Sequence, residues 1–420
     1  MKRFSKISRY WRTIIILLSL ALLLSVTAFF PAACDWYSDH IYGFISAGFG
    51  HVTALLPFIL GEWLIYLGIL LVFLSVIFLV LLIFLRKKTK YRKFCKGWFK
   101  TILMIIVCVV FVYVPNWVIP FFGRVMGQDN SGKRTDFNAK ELTAVYSHII
   151  TELNNAAEEI EIAPDGTVRF YTDEEALPLI SEAMNGISDE YPRLAGYYPP
   201  VKTAFCSDIL ERMNIGGFTL PYTMEPLRNK YLAPSFLPIL CAHELSHHKG
   251  FYKENEANFA SQLALSKSSD PLLRFSAYDD MRRWFEPEWQ ETTDNLFEEL
   301  KASGAINPPE LPPPHEGMTD AEIAQFREAL EESMRIATEI LGGYPPALSD
   351  RYYQIINTAQ GIEQQIYEED SHPIDDMPAV NEFIHETADT GWKIQSELLQ
   401  ENCYDGVVLL LLQYYDGILF

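Results

Sequence analysis

The chain has 420 residues, 49% of them hydrophobic, and a mean hydropathy of +0.04 despite a formal net charge of −20. That is too apolar for an ordinary acidic soluble protein, so part of the chain faces lipid. With 54 acidic against 34 basic residues it lacks the cationic surface that nucleic-acid binding requires, which excludes that class of partner.

The charge is unevenly spread. Residues 1–100 hold 13 Lys and Arg but only three acids, Asp35, Asp39 and Glu62, leaving 21 basic and 51 acidic residues for the other 320. A basic membrane base is thus joined to an acidic domain. The six scattered cysteines (Cys34, Cys95, Cys108, Cys206, Cys241 and Cys403) are too few for a disulfide framework or a Cys-based zinc ribbon.

Thr13 to Phe30 is an almost unbroken apolar run after Lys2, Arg3, Lys6, Arg9 and Arg12. It reads as an anchor or a signal peptide; its length, and the absence of an A-x-A-like site after Phe30, favour a retained helix. Pro31-Ala-Ala-Cys34 only faintly resembles a lipidation site, lacking the Leu expected three residues before the cysteine. Trp63 to Leu85 and Thr101 to Phe121 each supply about the 20 residues needed to cross a hydrocarbon core. Arg86, Lys87, Lys88, Lys90, Arg92, Lys93, Lys96 and Lys100 lie between them, a topology signal placing that connection in the cytoplasm. The expected order is in, out, in, out, with everything after about Gly123 beyond the cytoplasmic face. The glycine-broken segment Ile41 to Leu60 reads as an extracytoplasmic interfacial loop, not a fourth span.

The sequence therefore predicts a mainly α protein. Residues 1–122 form a membrane domain with three transmembrane helices (about 13–30, 63–85 and 101–121), and residues 123–420 a predominantly helical domain with a small β element. Asn138 caps a helix whose apolar positions Leu142, Val145, Ile149 and Leu153 recur at three- and four-residue steps, ending before Pro164. Gly217 to Tyr222 is the one convincing strand candidate. Thr319-x-x-Glu322 opens another helix as a capping box, running to Gly342-Gly343, after a proline-rich loop from Asn307 to Pro314. Val407 to Leu412 is too short to span and reads as part of a buried terminal helix.

Chemistry concentrates in residues 241–260. His243-Glu244-x-x-His247 places two imidazoles one turn apart on one helix face, where both reach a single Zn²⁺. Glu244 projects beside the metal, positioned to take a proton from a water polarised there. Phe236 to Ala242 is the apolar approach to this helix, and Gly250 ends it. A second helix begins near Lys253 and carries the candidates for a third ligand. Glu254 is favoured because Asn258 shares its face at i, i+4, whereas Glu256 faces roughly the opposite way. His315, His372 and His385 are more distant options. His248 points off the metal face and is expected to be an exposed polar residue, while Cys241 is expected in the core. Tyr278 and Arg274 are candidates for stabilising an oxyanion by sequence proximity only.

His243-Glu-x-x-His247 followed by Glu254-x-x-Ala-Asn258 resembles the gluzincin-type metallopeptidases, in which two helices supply His, His and Glu ligands. Those enzymes usually have Asp where this chain has Asn258, which makes the group behind the ligands neutral. Val201-Lys202, Gly217, Pro221-x-Thr223-x-Glu225, Asn229, Cys241-Ala-His-Glu-Leu-Ser-His-His-Lys-Gly-Phe251 and Glu254-Asn-Glu-Ala-Asn-Phe259 more closely resemble an uncharacterised family of bacterial membrane proteins with several N-terminal spans and a zinc-peptidase-like domain. The tight resemblance covers roughly residues 198–285. It implies a zincin-like fold in a bacterial cytoplasmic membrane and an edge strand, Gly217 to Tyr222, able to pair with an extended peptide.

The expected function is a membrane-anchored zinc metallopeptidase, with the bilayer and a peptide or protein substrate as partners and Glu244 as general base. The alternative is a zinc-binding sensor or scaffold that signals through the spans; a degenerate site of that kind is expected to lose the general base first, and Glu244 is present. Intramembrane proteolysis would need the motif inside a lipid-length apolar helix, whereas charge follows His247 almost at once.

Overall fold

The computed structural model describes residues 8–124, 126, 134–306, 319–372, 375, 377–399 and 403–420. The architecture is predominantly helical, with three short strands. α1 (Arg9–Ser25) continues through a 3-10 turn to Phe29. A short α2 (Pro31–Tyr37), a π-helical turn (Ser38–Tyr42) and α3 (Gly43–Ala54) lead to the long α4 (Leu60–Leu85). α5 (Thr89–Tyr113) returns antiparallel to α4 and runs through a second π turn (Val114–Val118) into α6 (Ile119–Phe121). The stretches Arg9–Phe29, Leu60–Leu85 and Thr89–Phe121 are long and apolar enough to cross a bilayer, and this is a membrane protein.

The basic cluster is helical in large part: Lys90, Arg92, Lys93, Lys96 and Lys100 all lie on α5. Lys and Arg are good helix formers, and α5 is pinned to α4 by Trp98 Nε1 donating to Ser75 Oγ (2.9 Å) and Tyr91 Oη donating to the Phe78 carbonyl (3.0 Å). One expectation about this region is corrected: the segment from Ile41 is likewise helical as far as Ala54. Its residues Tyr42, Ser46, Gly50 and Thr53 are buried against the rest of the molecule, while Phe44, Val52 and Leu55 stay exposed. That two-sided pattern suits a helix lying along a boundary, where the glycines permit close packing on the buried side.

The C-terminal part begins with α7 (Ala139–Glu159), capped by Asn138 with Glu141 reciprocating, and α8 (Asp173–Gly186), capped in the same way by Thr172 and Glu175. The chain then forms β1 (Lys202–Thr203), α9 (Ser207–Arg212), β2 (Gly217–Leu220) and β3 (Glu225–Arg228). The sheet order is β1-β3-β2, with β1 parallel and β2 antiparallel to β3, so β2 is an edge strand. Phe218 pairs with Leu227 and Leu220 with Glu225. The strand expected to reach Tyr222 stops two residues earlier, where Pro221 begins a turn.

α10 (Leu237–His248), α11 (Glu254–Ser266) and α12 (Pro271–Ala302) follow, then α13 (Asp320–Leu341), α14 (Asp350–Glu368), α15 (Pro378–Leu399) and α16 (Cys403–Tyr415). α13 ends as predicted before Gly342 and Gly343, both at positive φ. The Asn307 to Pro314 loop and the Glu322 side chain lie outside the described residues. α7, α8, α10, α11, α12 and α16 enclose the main core, which includes Ile149, Ile180, Leu245, Phe275 and Leu411. Val407 and Leu411 are fully buried in it, as expected of a terminal core helix.

The sheet is keyed to the membrane helices by two buried acids. Glu225 of β3 accepts from the backbone amides of Leu60 (3.0 Å) and Gly61 (2.8 Å) at the start of α4, and pairs with Lys202 Nζ at 2.9 Å. A carboxylate there satisfies free helix-terminal donors and meets the positive end of the helix dipole. In return, Glu62 of α4 accepts from the amides of Phe205 (3.0 Å) and Cys206 (2.8 Å).

Candidate metal centre

α10 carries His243 and His247 one turn apart. Gly250, at φ +92°, lets the chain reverse at once, a conformation that side chains disfavour. α11 then begins with Glu254, whose carboxylate arrives opposite the two imidazoles. One ligand atom from each of His243, His247 and Glu254 lies within 4.8 Å of the others. Glu254 Oε2 is 3.2 Å from His243 Nε2 and 3.8 Å from His247 Nε2.

The nitrogens are oriented as a metal would need them. His247 Nδ1 lies 2.7 Å from the Phe251 carbonyl, which can only accept, so Nδ1 carries a proton and Nε2 is the nitrogen turned to the cluster, available to a metal that displaces its proton. Burial opposes charge on His247, but Glu254 beside it raises its pKa to about 9. Desolvation also opposes charge on Glu254, yet His247 and His243 hold its carboxyl well below the usual range. A cluster that draws in a proton this strongly has the electrostatics of a cation site. The Glu254 side chain is 34% exposed, against 9% for His247, so the cluster opens to solvent on the Glu254 side.

Glu244 is buried one residue from His243. Thr219 Oγ1 of β2 reaches both its backbone carbonyl (2.8 Å) and its carboxylate Oε2 (3.0 Å), tying helix to edge strand. Burial pushes the Glu244 carboxyl up, with His247 and His243 pulling the other way. Gly217 is required for this approach: a Cβ there would fall 2.5 Å from the Leu227 carbonyl and 3.1 Å from Glu244 Oε1. The arrangement is three metal-type donors with a carboxylate alongside and an edge strand next to it.

Residues 37–305, more than half of the chain, match the family described as Protein of unknown function (DUF3810). The chain belongs to this family. No curated protein and no solved structure matches it. The stretch shared with the family runs from the interfacial helices to the end of α12. It therefore includes α3, α4, α5, the sheet and the whole His243–Glu254 cluster, and leaves out α1, all of α2 but Tyr37, and α13 to α16.

Within this family stretch, the structure sorts the remaining candidates. Glu256 points away from the cluster, accepting from the Met126 amide (2.8 Å) near Lys253 (3.7 Å). His248 is off the metal face as expected, but it is fully buried, correcting the expected exposure. α3 covers it, its Nδ1 donates to the Met224 carbonyl (2.9 Å), and burial lowers its pKa to about 3. Cys241 is in the core, its thiol pushed up to about 12 by burial. Tyr278 packs its ring against His148, and Arg274 pairs with Glu159 at 2.5 Å, so neither joins the cluster. Outside the family stretch, His372 is held by Asp208 and the Tyr367 carbonyl, His385 is exposed on α15, and His315 lies beyond the described residues.

Several site residues carry no signal in the sequence. Thr219 lies 25 residues before its partner Glu244. Tyr252 stacks on His247 (6.0 Å between centroids) and is hydrogen-bonded to Tyr42 of the interfacial segment (3.0 Å). Asp280 of α12, held by Gln262 Nε2 at 2.7 Å, lies within electrostatic reach of His243. Each is brought in by tertiary contact, and no local spacing marks it.

Proposed function

We propose that this protein is a membrane-anchored zinc metallopeptidase that hydrolyses peptide bonds of proteins or peptides near the outer face of a bacterial cytoplasmic membrane. The observation that carries the reading is the convergence of His243, His247 and Glu254 with Glu244 alongside. Two neutral imidazoles and one carboxylate are the donor set of a catalytic zinc site, which keeps a further position open. A zinc ion held there supplies Lewis-acid polarisation of the scissile carbonyl and of the attacking water.

The chain's own groups supply the rest. Phe251 and Glu254 fix the orientation of His247. Glu244, its carboxyl shifted up by burial, takes the proton from the attacking water and passes it to the leaving amine. Thr219 holds Glu244 against β2, whose free edge offers main-chain groups to an extended substrate. The basic residues at the N-terminus and along the start of α5 favour a cytoplasmic location for those ends, which puts the sheet and the cluster on the opposite side.

The test is hydrolysis of casein or a peptide library by the purified, zinc-loaded full-length protein beside Glu244→Gln. The reading predicts activity that falls by at least about a hundredfold in the variant, the scale of a lost general base, while bound zinc is unchanged. Hydrolysis that is equal in both proteins would contradict the mechanism.

A further inference from the structure

We infer that the substrates are polypeptides emerging from the same bilayer, cut within a few residues of the membrane surface. This rests on the peptidase reading and names its substrate class.

The inference comes from how little chain separates the cluster from the outer ends of the spans. Thr219 of β2 touches Glu244, and two residues on, the Pro221 carbonyl accepts from Asn116 Nδ2 (3.1 Å) in the π turn that ends the third span. Two strand residues cover about 7 Å. The next residue, Tyr222, lies beside Tyr113 at the end of α5, with 5.9 Å between ring centroids. A second route is as short: Trp117 of the same π turn contacts Tyr252 (6.3 Å), and Tyr252 stacks on His247. The sheet sits on the span ends without a spacer, since Glu225 is bonded directly to the first amides of α4.

The surface around these contacts suits a lipid boundary. Phe205, on the loop after β1, is 79% exposed and lies beside Trp63 and Tyr66 of α4. Aromatic side chains clustered at a span end match the headgroup level. Phe44 of α3 and Leu55 just after it, each more than 80% exposed, add further apolar surface in the segment that leads into α4. A soluble polypeptide must diffuse to a cleft at this height. One already anchored in the bilayer delivers its first extracytoplasmic residues to it, and an extended chain covers about 20 Å in roughly six residues.

The test uses the full-length protein, zinc-loaded, in liposomes of phosphatidylethanolamine and phosphatidylglycerol. One substrate pool is a single-span model protein bearing about 30 randomised residues beyond the span, about 100 Å when extended. The other is the same randomised segment free in solution. The expected result is cleavage confined to roughly the first six residues after the span, with the anchored pool turned over about tenfold faster or more through its higher effective concentration. Cuts spread evenly along the tail, or equal turnover of the free pool, with Glu244→Gln inactive on both, would overturn the inference and leave the peptidase standing. Failure of the wild-type protein to cut either pool would overturn both.

Discussion

The partners of a histidine decide which of its nitrogens is available, and three histidines of this chain are used differently for that reason. His247 gives its Nδ1 proton to Phe251 and presents Nε2 to the cluster. His248 gives its proton to Met224, and its buried Nε2 has no partner among the described residues. His372 has an acceptor at each nitrogen, Asp208 at 2.9 Å and the Tyr367 carbonyl at 2.7 Å, an arrangement that suits the imidazolium. Burial works against that charge, but the Tyr367 and Asp208 contacts outweigh it and raise the His372 pKa. A pKa raised on folding gives stability fully present below the unfolded value of about 6.5 and lost as pH rises through the folded value. Asp208 also pairs with Arg212, which holds Asp375 (2.7 Å) and Asn381 (3.1 Å) at the start of α15. Hydrogen exchange of α15, corrected for the intrinsic rate, is therefore expected to step up as pH rises above about 6.5, and the step should vanish in His372→Gln. A pH-independent exchange rate would contradict this. The i, i+4 spacing of His243 and His247 and the candidate carboxylate of Glu254 were legible in the sequence; the Phe251 carbonyl behind His247 and the Thr219 hydroxyl on Glu244 were not, because those come from a chain reversal and a distant segment.

At the level of elements, helices with strong caps and apolar periodicity could be read directly: α7 from Asn138, α10 up to Gly250, and α16 from its buried Val407 and Leu411. The sheet was only one-third legible. β1 is two residues long, and β3 contains Pro226; neither looks like a strand until Lys202 pairs with Leu227 and Glu225 with Leu220. The glycines between residues 41 and 61 suggested a loop, but at Gly50 and Gly61 they allow close contact. A Cβ at Gly61 would fall 2.6 Å from both Leu220 and Thr223, and one at Gly50 3.1 Å from His248. The junction those contacts form depends on Glu225. Glu225→Ala leaves the two α4 amides without their acceptor and takes the counter-charge from Lys202, which keeps the Thr53 and Phe58 carbonyls, and breaking a buried pair in this way costs about 3–5 kcal/mol. Thermal unfolding in detergent should show a clear loss of stability, and an unchanged midpoint would show that Glu225 does not hold sheet and span together.

Across the whole molecule, the three apolar runs predicted three membrane-crossing helices in a mainly α chain, and the architecture has three helices long and apolar enough for that. What composition could not convey is the intimacy of the two parts. α3, the start of α4 and the end of α5, the edge strand and the ligand helices form one continuous structure, and the family match runs across all of it. Removing the spans would expose Tyr42's partners, Glu225 and the Phe205 loop together, so the chain is best examined whole. The proposed chemistry depends on His243, His247 and Glu254 holding a metal ion. It is tested most directly by elemental analysis of the full-length protein purified in detergent, with Glu254→Ala and Glu256→Gln alongside. About one zinc per chain is expected, lost in Glu254→Ala and retained in Glu256→Gln, since Glu256 serves the Met126 amide and stands away from the cluster. A folded wild-type protein that contains no zinc and takes none up when it is added would contradict it.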